Sequence, residues 1–540
     1  MIKKQKAIVI LILIILSLFP LKVITYTHDG EDIFITLRYV ENLVNGNGFV
    51  YNIGERVEGY SNFLWAIILA IPAYFGYDLI NSAKLLSILF YTLTIILSFI
   101  YMTNKNEDKI SYLSLFAPLL LLTNPMLQFQ VDIGLETHLY IFLMFLSAYY
   151  YIKREFILSS IAFSLVAMTR PEGFAYFMIF CLYCIIETRL YDLEYINKKK
   201  LKTFSTFIIP FILTFGPYLA WRIWYYGYPL PNTVYVKFAT ESFIKNHSIG
   251  DLWQFVVSWS FIPFLIIPIF YYLFKKEFKE KRTIKILLLY IFSIALYTIY
   301  IGKVFTSAFR HYSPMIPFIV MIVSILLKTI NDSLSMKKRR IILVLFLIIL
   351  GLNIYTINNK DATPSRFHCR IIQFIKNRDF NERLNWFFEP PIMHFAETGR
   401  WINKNLPANA LYACDQMGQL GYYSQRHIID LIGLMDETIA HKGFSVDYIL
   451  SRNPDYAILL GYNDKAYLDH LYKMENDVKF KDRYEKIYRI LPNVKYDESE
   501  FIIYGNKKTV DFKQFEGKEL PLKVKIGLPT DEFEKRWRVL

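Results

Sequence analysis

Hydrophobic residues in this chain fall into long, nearly uncharged runs up to residue 358 and into much shorter runs after it. Runs of about 15–20 apolar residues are long enough for membrane helices, because roughly 20 helical residues cross a 30 Å hydrocarbon core. They occupy residues 7–26, 62–76, 83–102, 111–124, 136–151, 156–168, 172–187, 203–226, 256–274, 283–301, 314–330 and 341–358. The pattern predicts a mainly α-helical, polytopic membrane protein.

The basic clusters between these runs indicate how the chain crosses the membrane, because cytoplasmic loops are rich in Lys and Arg. They lie at residues 3–6, 153–154, 198–200, 275–282 and 337–340. If all are cytoplasmic, each interval between them contains an even number of spans. Only the first interval, with five runs, breaks this rule.

One run of the first interval must therefore fail to span. Run 62–76 is short, contains Pro72 and is bounded by polar loops, so we predict a re-entrant or interfacial helix there. Run 111–124 is equally short and is the alternative. About eleven spans remain, with the amino terminus cytoplasmic and the first run retained as an uncleaved helix.

The tail after residue 358 has a different pattern, with apolar runs of four to seven residues alternating with amphipathic stretches. We predict strands at Ala410–Cys414, His427–Ile432, Asp455–Leu460 and Phe501–Tyr504, and helices at Phe395–Asn405 and Lys465–Met474. The chain thus divides into a membrane module, residues 1–358, and an extracytoplasmic α/β domain, residues 359–540.

Composition narrows the classes of protein further. The chain is 54% hydrophobic and 20% charged, which excludes a disordered protein and an ordinary soluble enzyme. Its net charge of +14 comes from bases that flank membrane segments, so it indicates topology rather than nucleic-acid binding. The four cysteines show no disulfide framework or metal spacing.

Candidate chemistry begins in the first outer loop, residues 27–61. Apolar residues at helical spacing predict an amphipathic helix over 32–44 lying on the membrane. Asp29, Glu31 and Asp32 then gather at its junction with the first membrane helix. A carboxylate that is partly desolvated there has a raised pKa and suits a general base. The alternative is that Asp32 merely caps the helix.

Further polar residues stand in apolar surroundings, where a charge costs about 2.5–3.5 kcal/mol. They include Glu136, Arg170, Asn232, Lys237, Arg310 and His311. All except Arg170, whose side is not fixed, map to the outer face. Interfacial snorkelling, or a structural pair of Arg170 with Glu172, is the alternative. Together they suit transfer from a lipid phosphate, in which a carboxylate activates an acceptor hydroxyl and cations stabilise the departing phosphate.

Several of these segments resemble motifs of the type-C (GT-C) polyprenyl-phosphate-sugar glycosyltransferases, most closely the terminal arabinofuranosyltransferase-like branch. They are Glu31–Tyr39, Gly46 with Gly48, Gly54–Asn62, Gly134–Thr137, Thr169–Gly173, Pro231–Thr233 with Lys237, Arg310–Pro317, Gly418–Tyr423 and Ile429–Leu434. The resemblance implies a GT-C fold, a non-spanning helix after the first outer loop, and an essential acidic residue in that loop. This role falls on Asp32 and Glu31, and Asp32 is the better candidate because the branch has aspartate where Glu31 stands. We expect substrate contacts from Asp29, Arg38, Tyr39, Glu58, Tyr60, Asn62, Glu136, Arg170, Asn232, Lys237, Arg310 and His311.

The sequence therefore predicts a multi-pass enzyme of the cell (inner) membrane that transfers a sugar from a polyprenyl-phosphate donor to an extracytoplasmic glycan or lipid. Its expected partners are membrane lipids, the lipid-linked donor and the acceptor, without nucleic acid. The alternatives are a lipid-linked-sugar transporter or flippase, a protein O-glycosyltransferase and a non-catalytic assembly partner. No cofactor is certain, although Asp29, Glu31 and Asp32 could bind a divalent metal.

Overall fold

The computed structural model describes residues 2–17, 31–103, 112–190, 197–239, 280–301, 310–333, 395–461, 472–490 and 500–515, with a few residues in 252–255 and 340–353. The helices before residue 334 are α1 (Ile2–Ser17), α2 (Glu31–Val44), α3 (Phe63–Tyr74), α4 (Leu79–Met102), α5 (Phe116–Leu122), α6 (Pro125–Ile133), α7 (Thr137–Ile152), α8 (Phe156–Thr169), α9 (Glu172–Thr188), α10 (Lys198–Tyr226), α11 (Asn232–Ala239), α12 (Lys281–Ile301) and α13 (Met315–Ser333). The C-terminal unit, residues 395–515, contains α14 (Phe395–Asn405), β1 (Leu411–Cys414), α15 (Gln419–Ser424), β2 (His427–Asp430), α16 (Glu437–Lys442), α17 (Val446–Arg452), β3 (Tyr456–Gly461), α18 (Val478–Arg483), β4 (Tyr484–Ile490) and β5 (Glu500–Asn506).

The first part of the chain is built from apolar helices. Within the described residues, three are long and apolar enough to cross a membrane: α4, α10 and α12. Shorter apolar helices lie at Lys6–Ser17, Phe63–Tyr74, Leu113–Leu122, Thr137–Ile152, Phe156–Thr169 and Met315–Thr329. The predicted span 256–274 lies outside the described residues, as does most of 341–358.

Both short runs of the first interval form short helices. α3 has 12 residues and contains Pro72, so it is about 18 Å long, which is shorter than a 30 Å hydrocarbon core. Its outer surface is apolar, since Ile71, Tyr74 and Phe75 are 60%, 75% and 70% exposed. The run at 111–124 forms a 3₁₀ turn followed by α5, which has only seven residues. Which of the two runs is the non-spanning one remains a prediction.

The C-terminal unit is organised around a five-stranded sheet in the order β2-β1-β3-β5-β4. β1, β2 and β3 are parallel, whereas β5 pairs antiparallel with β3 and β4. The four predicted strands are present, and α14 has the predicted bounds. β4 was not predicted, because charged residues interrupt its apolar positions and a bulge between Lys486 and Tyr488 breaks its alternation. The predicted helix Lys465–Met474 lies largely outside the described residues.

The two faces of this sheet pack against different partners. Alternate strand residues point to opposite faces. Tyr412 and Ile458 belong to the hydrophobic core that also contains the membrane helices. Ala413 and Ala457, on the other face, belong to a separate core formed with the unit's own helices. The C-terminal unit is therefore packed directly onto the apolar helices of the first part of the chain.

The helix of the first outer loop is present but is not the surface helix that the sequence predicts. All residues from Ile33 to Val40 in α2 are buried, including the polar Thr36 and Arg38. α2 packs against α3 and against α15 of the C-terminal unit. The hydrophobic stripe indicated a membrane surface, whereas both faces of the helix are covered by protein.

Candidate active site

A cluster of charged side chains lies where α7, α8 and α9 meet the first outer loop. Glu136, at the head of α7, has a side chain only 2% exposed. Its Oε1 accepts hydrogen bonds from Arg170 Nε and Arg310 Nη2, both at 2.7 Å. Its Oε2 accepts one from Asn62 Nδ2 at 3.0 Å. Two cations and an amide therefore hold one buried carboxylate in a fixed position.

The local sequence explains how Arg170 reaches this cluster. A residue before proline is disfavoured in the helical conformation. Arg170 precedes Pro171 and has an extended backbone, with φ −150° and ψ 138°, which ends α8. α9 starts directly afterwards with Glu172, and a Cβ at Gly173 would lie 2.6 Å from the backbone nitrogen of Ala167. The tight turn between α8 and α9 thus needs glycine at this position.

Glu172 extends the cluster deeper into the helices. Its Oε1 lies 3.7 Å from Arg170 Nη1, and its Oε2 accepts a hydrogen bond from the Tyr297 hydroxyl of α12 at 3.1 Å. Arg170 therefore pairs with both Glu136 and Glu172. The Arg170–Glu172 pair considered from the sequence is present, but it is longer than the pair with Glu136.

Asp32 is the exposed member of the cluster. Its side chain is 68% exposed, and its Oδ2 lies 3.3 Å from Arg310 Nη1. Arg310, only 13% exposed, bridges Asp32 and the buried Glu136. Three carboxylates, from Asp32, Glu136 and Glu172, face two guanidinium groups. Asp32 is by far the most exposed of these three carboxylates.

Asn62 connects α2 to this cluster. Its Oδ1 accepts a hydrogen bond from Thr36 Oγ1 at 3.1 Å while its amide donates to Glu136. These two bonds fix which way the amide points. Thr36, one turn after Asp32 on the same helix, was not among the predicted site residues, because a threonine in an amphipathic helix carries no chemical signal of its own.

Three other predicted residues of α2 and its neighbourhood face the C-terminal unit. Glu31 Oε1 accepts a hydrogen bond from the backbone N–H of Gln419 at 2.9 Å. Arg38 donates to the carbonyl of Gly421 at 2.5 Å and to that of Arg426. The Tyr39 hydroxyl donates to Val57 O at 2.6 Å and contacts Met435 Sδ at 3.4 Å. The structure does not bring these three side chains together with Asp32.

Burial also distinguishes the Glu31 carboxyl from that of Asp32. Loss of solvent raises the pKa of the Glu31 carboxyl to about 8, against the opposing effect of the backbone N–H groups of Gln419 and Gly418. This carboxyl is protonated near neutral pH, whereas a base must be ionised and reachable by its substrate. The two acids that the sequence places side by side thus occupy different environments.

A second group of predicted residues lines a narrow surface cleft beside α10. The cleft is bounded by Arg56, Val57, Glu58, Tyr226, Tyr228, Leu230, Asn232 and Glu437. Arg222 Nη2 donates to Glu58 Oε1 at 2.9 Å, and the Asn232 N–H donates to Glu58 O, also at 2.9 Å. The Tyr60 hydroxyl lies 3.2 Å from that of Tyr226. Arg222 was not among the predicted site residues, because a single arginine near the end of an aromatic helix is typical of a side chain that extends to the membrane interface.

The remaining predicted residues are placed only in part. Lys237 lies on α11, and His311 is half-buried in the turn with Arg310. Asp29 lies outside the described residues. Within the part of the chain that the structure describes, no group of three or more His, Cys, Asp or Glu side chains is arranged to hold a metal ion. Glu31 and Asp32, the two described candidates for a metal site, contact Gln419 and Arg310 respectively.

Comparisons with known proteins concern the whole chain and the C-terminal unit. A family model described as a domain of unknown function (DUF8728) matches residues 387–511. No curated protein matches the sequence.

Among solved structures, ArnT from Cupriavidus metallidurans bound to undecaprenyl phosphate aligns with a TM-score of 0.55 at 13% identity, covering 95% of this chain and 99% of that one. The apo structure of the same protein aligns with a TM-score of 0.56 at 12% identity, covering 93% and 97%. The apo oligosaccharyltransferase from Archaeoglobus fulgidus has a TM-score of 0.48 at 11% identity, covering 93% and 74%. The likeness to ArnT extends over nearly all of both chains, and the protein therefore has a GT-C fold, as its sequence motifs imply.

Proposed function

We propose that this protein is an integral-membrane glycosyltransferase that moves a sugar from a polyprenyl-phosphate donor to an acceptor hydroxyl on an extracytoplasmic glycan or lipid. The fold it shares with ArnT supports this, since that protein is solved with undecaprenyl phosphate bound. Apolar helices beside an exposed acid suit a substrate that has lipid tails and a polar head group. We further propose that the amino terminus is cytoplasmic and the C-terminal unit extracytoplasmic.

The observation that carries this proposal is the pairing of an exposed acid with a largely buried cation. Asp32 is 68% exposed and lies 3.3 Å from Arg310. The Arg310 guanidinium also pairs with the buried Glu136 at 2.7 Å. Asp32 is thus accessible to a substrate and has a cation beside it. In this proposal Arg310, already held by Glu136, stabilises the negative charge that develops on the donor phosphate without reorganising during the reaction.

In the proposed reaction, Asp32 takes the proton of the acceptor hydroxyl as that oxygen attacks the anomeric carbon. The new bond joins acceptor oxygen and sugar carbon, and the bond between that carbon and the donor phosphate oxygen breaks. The electron pair leaves with the polyprenyl phosphate, whose charge Arg310 stabilises. Lys237, His311 and Asp29 remain proposed contacts to the donor, and Glu58 and Asn232 remain proposed contacts to the substrate.

The test is sugar transfer by the full-length protein in nanodiscs, with a panel of synthetic polyprenyl-phosphate sugars and released lipid phosphate as the readout. A general base contributes about 10²- to 10⁴-fold, so we expect Asp32→Asn to lower turnover by at least about 100-fold. Asp447→Asn is a matched control, because the Asp447 side chain is 72% exposed and pairs only with the exposed Lys479 among the described ion pairs. It should retain wild-type turnover.

Three results would argue against the proposal. Undiminished turnover in Asp32→Asn would remove this residue as the base. Equal losses in Asp32→Asn and Asp447→Asn would show a general effect of substitution. Movement of a lipid-linked sugar across the bilayer, without release of lipid phosphate, would favour the transporter.

A further inference from the structure

The two adjacent acids at the start of α2 point in different directions. Successive residues of an α-helix are rotated by about 100°. Asp32 therefore faces Arg310 while Glu31 faces the C-terminal unit, where its Oε1 accepts the Gln419 N–H at 2.9 Å. Glu31 Oε2 is also shielded from solvent.

The chain approaches Glu31 unusually closely at this contact. A Cβ added to Gly418 would lie 2.2 Å from the Glu31 carbonyl oxygen and 2.4 Å from its Oε1. Only glycine leaves room for the backbone there. The Glu31 carboxyl thus lies against the loop that joins β1 to α15.

Further contacts hold this loop, α15 and β2 against the first outer loop. The Tyr51 hydroxyl donates to Met417 O at 2.5 Å. The Asn52 side chain pairs with the backbone of Ile428, donating to its carbonyl at 2.8 Å and accepting from its N–H at 3.1 Å. Arg38, two turns after Glu31, donates to Gly421 O. Glu31 is the member of this set that lies in the first turn of α2, next to Asp32.

We propose that Glu31 is a positioning residue, whose buried carboxyl anchors the first turn of α2 to residues 418–419 and so sets the direction of Asp32 toward Arg310. This rests on the proposed function, because positioning matters only if Asp32 acts on a substrate. Glu31 takes no proton from the acceptor in this scheme. The C-terminal unit thereby becomes part of what orients Asp32, the proposed base.

The test compares Glu31→Gln and Glu31→Ala with Asp32→Asn in the transfer assay, together with hydrogen exchange of the Gln419 amide. Glutamine keeps the length and the accepting oxygen of glutamate, so we expect kcat within about threefold of wild type and an unchanged Gln419 amide. Alanine removes the anchor. Because a displacement of about 1 Å can cost about 100-fold in rate, we expect kcat to fall more than tenfold with donor KM within about twofold. Exchange at Gln419 should rise about tenfold.

Each result supports or overturns the proposal. Glu31→Gln as inactive as Asp32→Asn would show that Glu31 acts through its proton or charge, which overturns positioning. Glu31→Ala with wild-type kcat would also overturn it. If the wild type turns over no donor, the proposed function fails, and exchange at Gln419 decides the anchor separately. Faster exchange of the Gln419 amide in Glu31→Ala but not in Glu31→Gln supports the anchor. Equal exchange of this amide in the wild type and both Glu31 variants overturns it.

Discussion

At the scale of single residues, Glu136 is the centre of the charge cluster, since its Oε1 accepts hydrogen bonds from both Arg170 and Arg310. Removing one partner of a buried ion pair leaves an uncompensated charge and costs about 3–5 kcal/mol. We expect Glu136→Gln to lower the thermal unfolding midpoint of the detergent-solubilised protein. Glu155→Gln is the control, because Glu155 is exposed and makes no side-chain hydrogen bond as the N-cap of α8. Equal midpoints for the two variants would contradict the described cluster.

The sequence could predict several residues of this site but not how they pair. Glu136, Arg170 and Arg310 stood out because charges are costly among apolar residues. Their pairing joins positions 34 and 174 residues apart, which no local spacing encodes. Glu31 and Asp32 are also equivalent acids in the sequence. Only the packing of the C-terminal unit buries the Glu31 carboxyl and leaves that of Asp32 exposed.

At the scale of elements, the packing of α15 against α2 depends on the absence of a side chain at Gly418. The Cβ of an alanine there would lie 2.2 Å from the Glu31 carbonyl oxygen, so one of the two segments must move. We expect Gly418→Ala to increase hydrogen exchange over Gln419–Ser424 and to lower turnover. Gly216→Ala is the matched control, because no atom outside the helix's own backbone lies within 4 Å of a Cβ at that site in α10. It should change neither quantity. Unchanged exchange in Gly418→Ala would show that the two elements are not in close contact.

Sequence patterns predicted the positions of helices and strands better than what those elements pack against. The bounds of α14 and the positions of four strands follow from apolar periodicity and turn residues, which act locally. For α2 the same periodicity gave a correct helix but a wrong environment. A hydrophobic stripe shows that one face of a helix is covered, but the polar face carries no sign of whether it meets water or buried carbonyl groups. Arg38 illustrates this, since its guanidinium binds backbone oxygens of a segment more than 380 residues away.

At the scale of the whole molecule, the proposed topology places three described positions on defined sides of the membrane. The C-terminal unit should be outside and the loop between α7 and α8 inside. Tyr77, between α3 and α4, distinguishes the two counts of spans, because it lies outside if α3 does not cross and inside if α3 does. Single cysteines at Val478, Arg154 and Tyr77 report these sides, since all three residues are exposed.

We expect a membrane-impermeant maleimide to label Val478→Cys and Tyr77→Cys in right-side-out vesicles, and Arg154→Cys only after permeabilisation. Cys181, Cys184 and Cys414 are buried, and the unsubstituted protein measures any background labelling, including that of Cys369. Labelling of Tyr77→Cys only after permeabilisation would mean that α3 crosses and that another short run, such as 111–124, does not. Labelling of Arg154→Cys in sealed vesicles would reverse the orientation and place Asp32 on the cytoplasmic side, away from an extracytoplasmic acceptor.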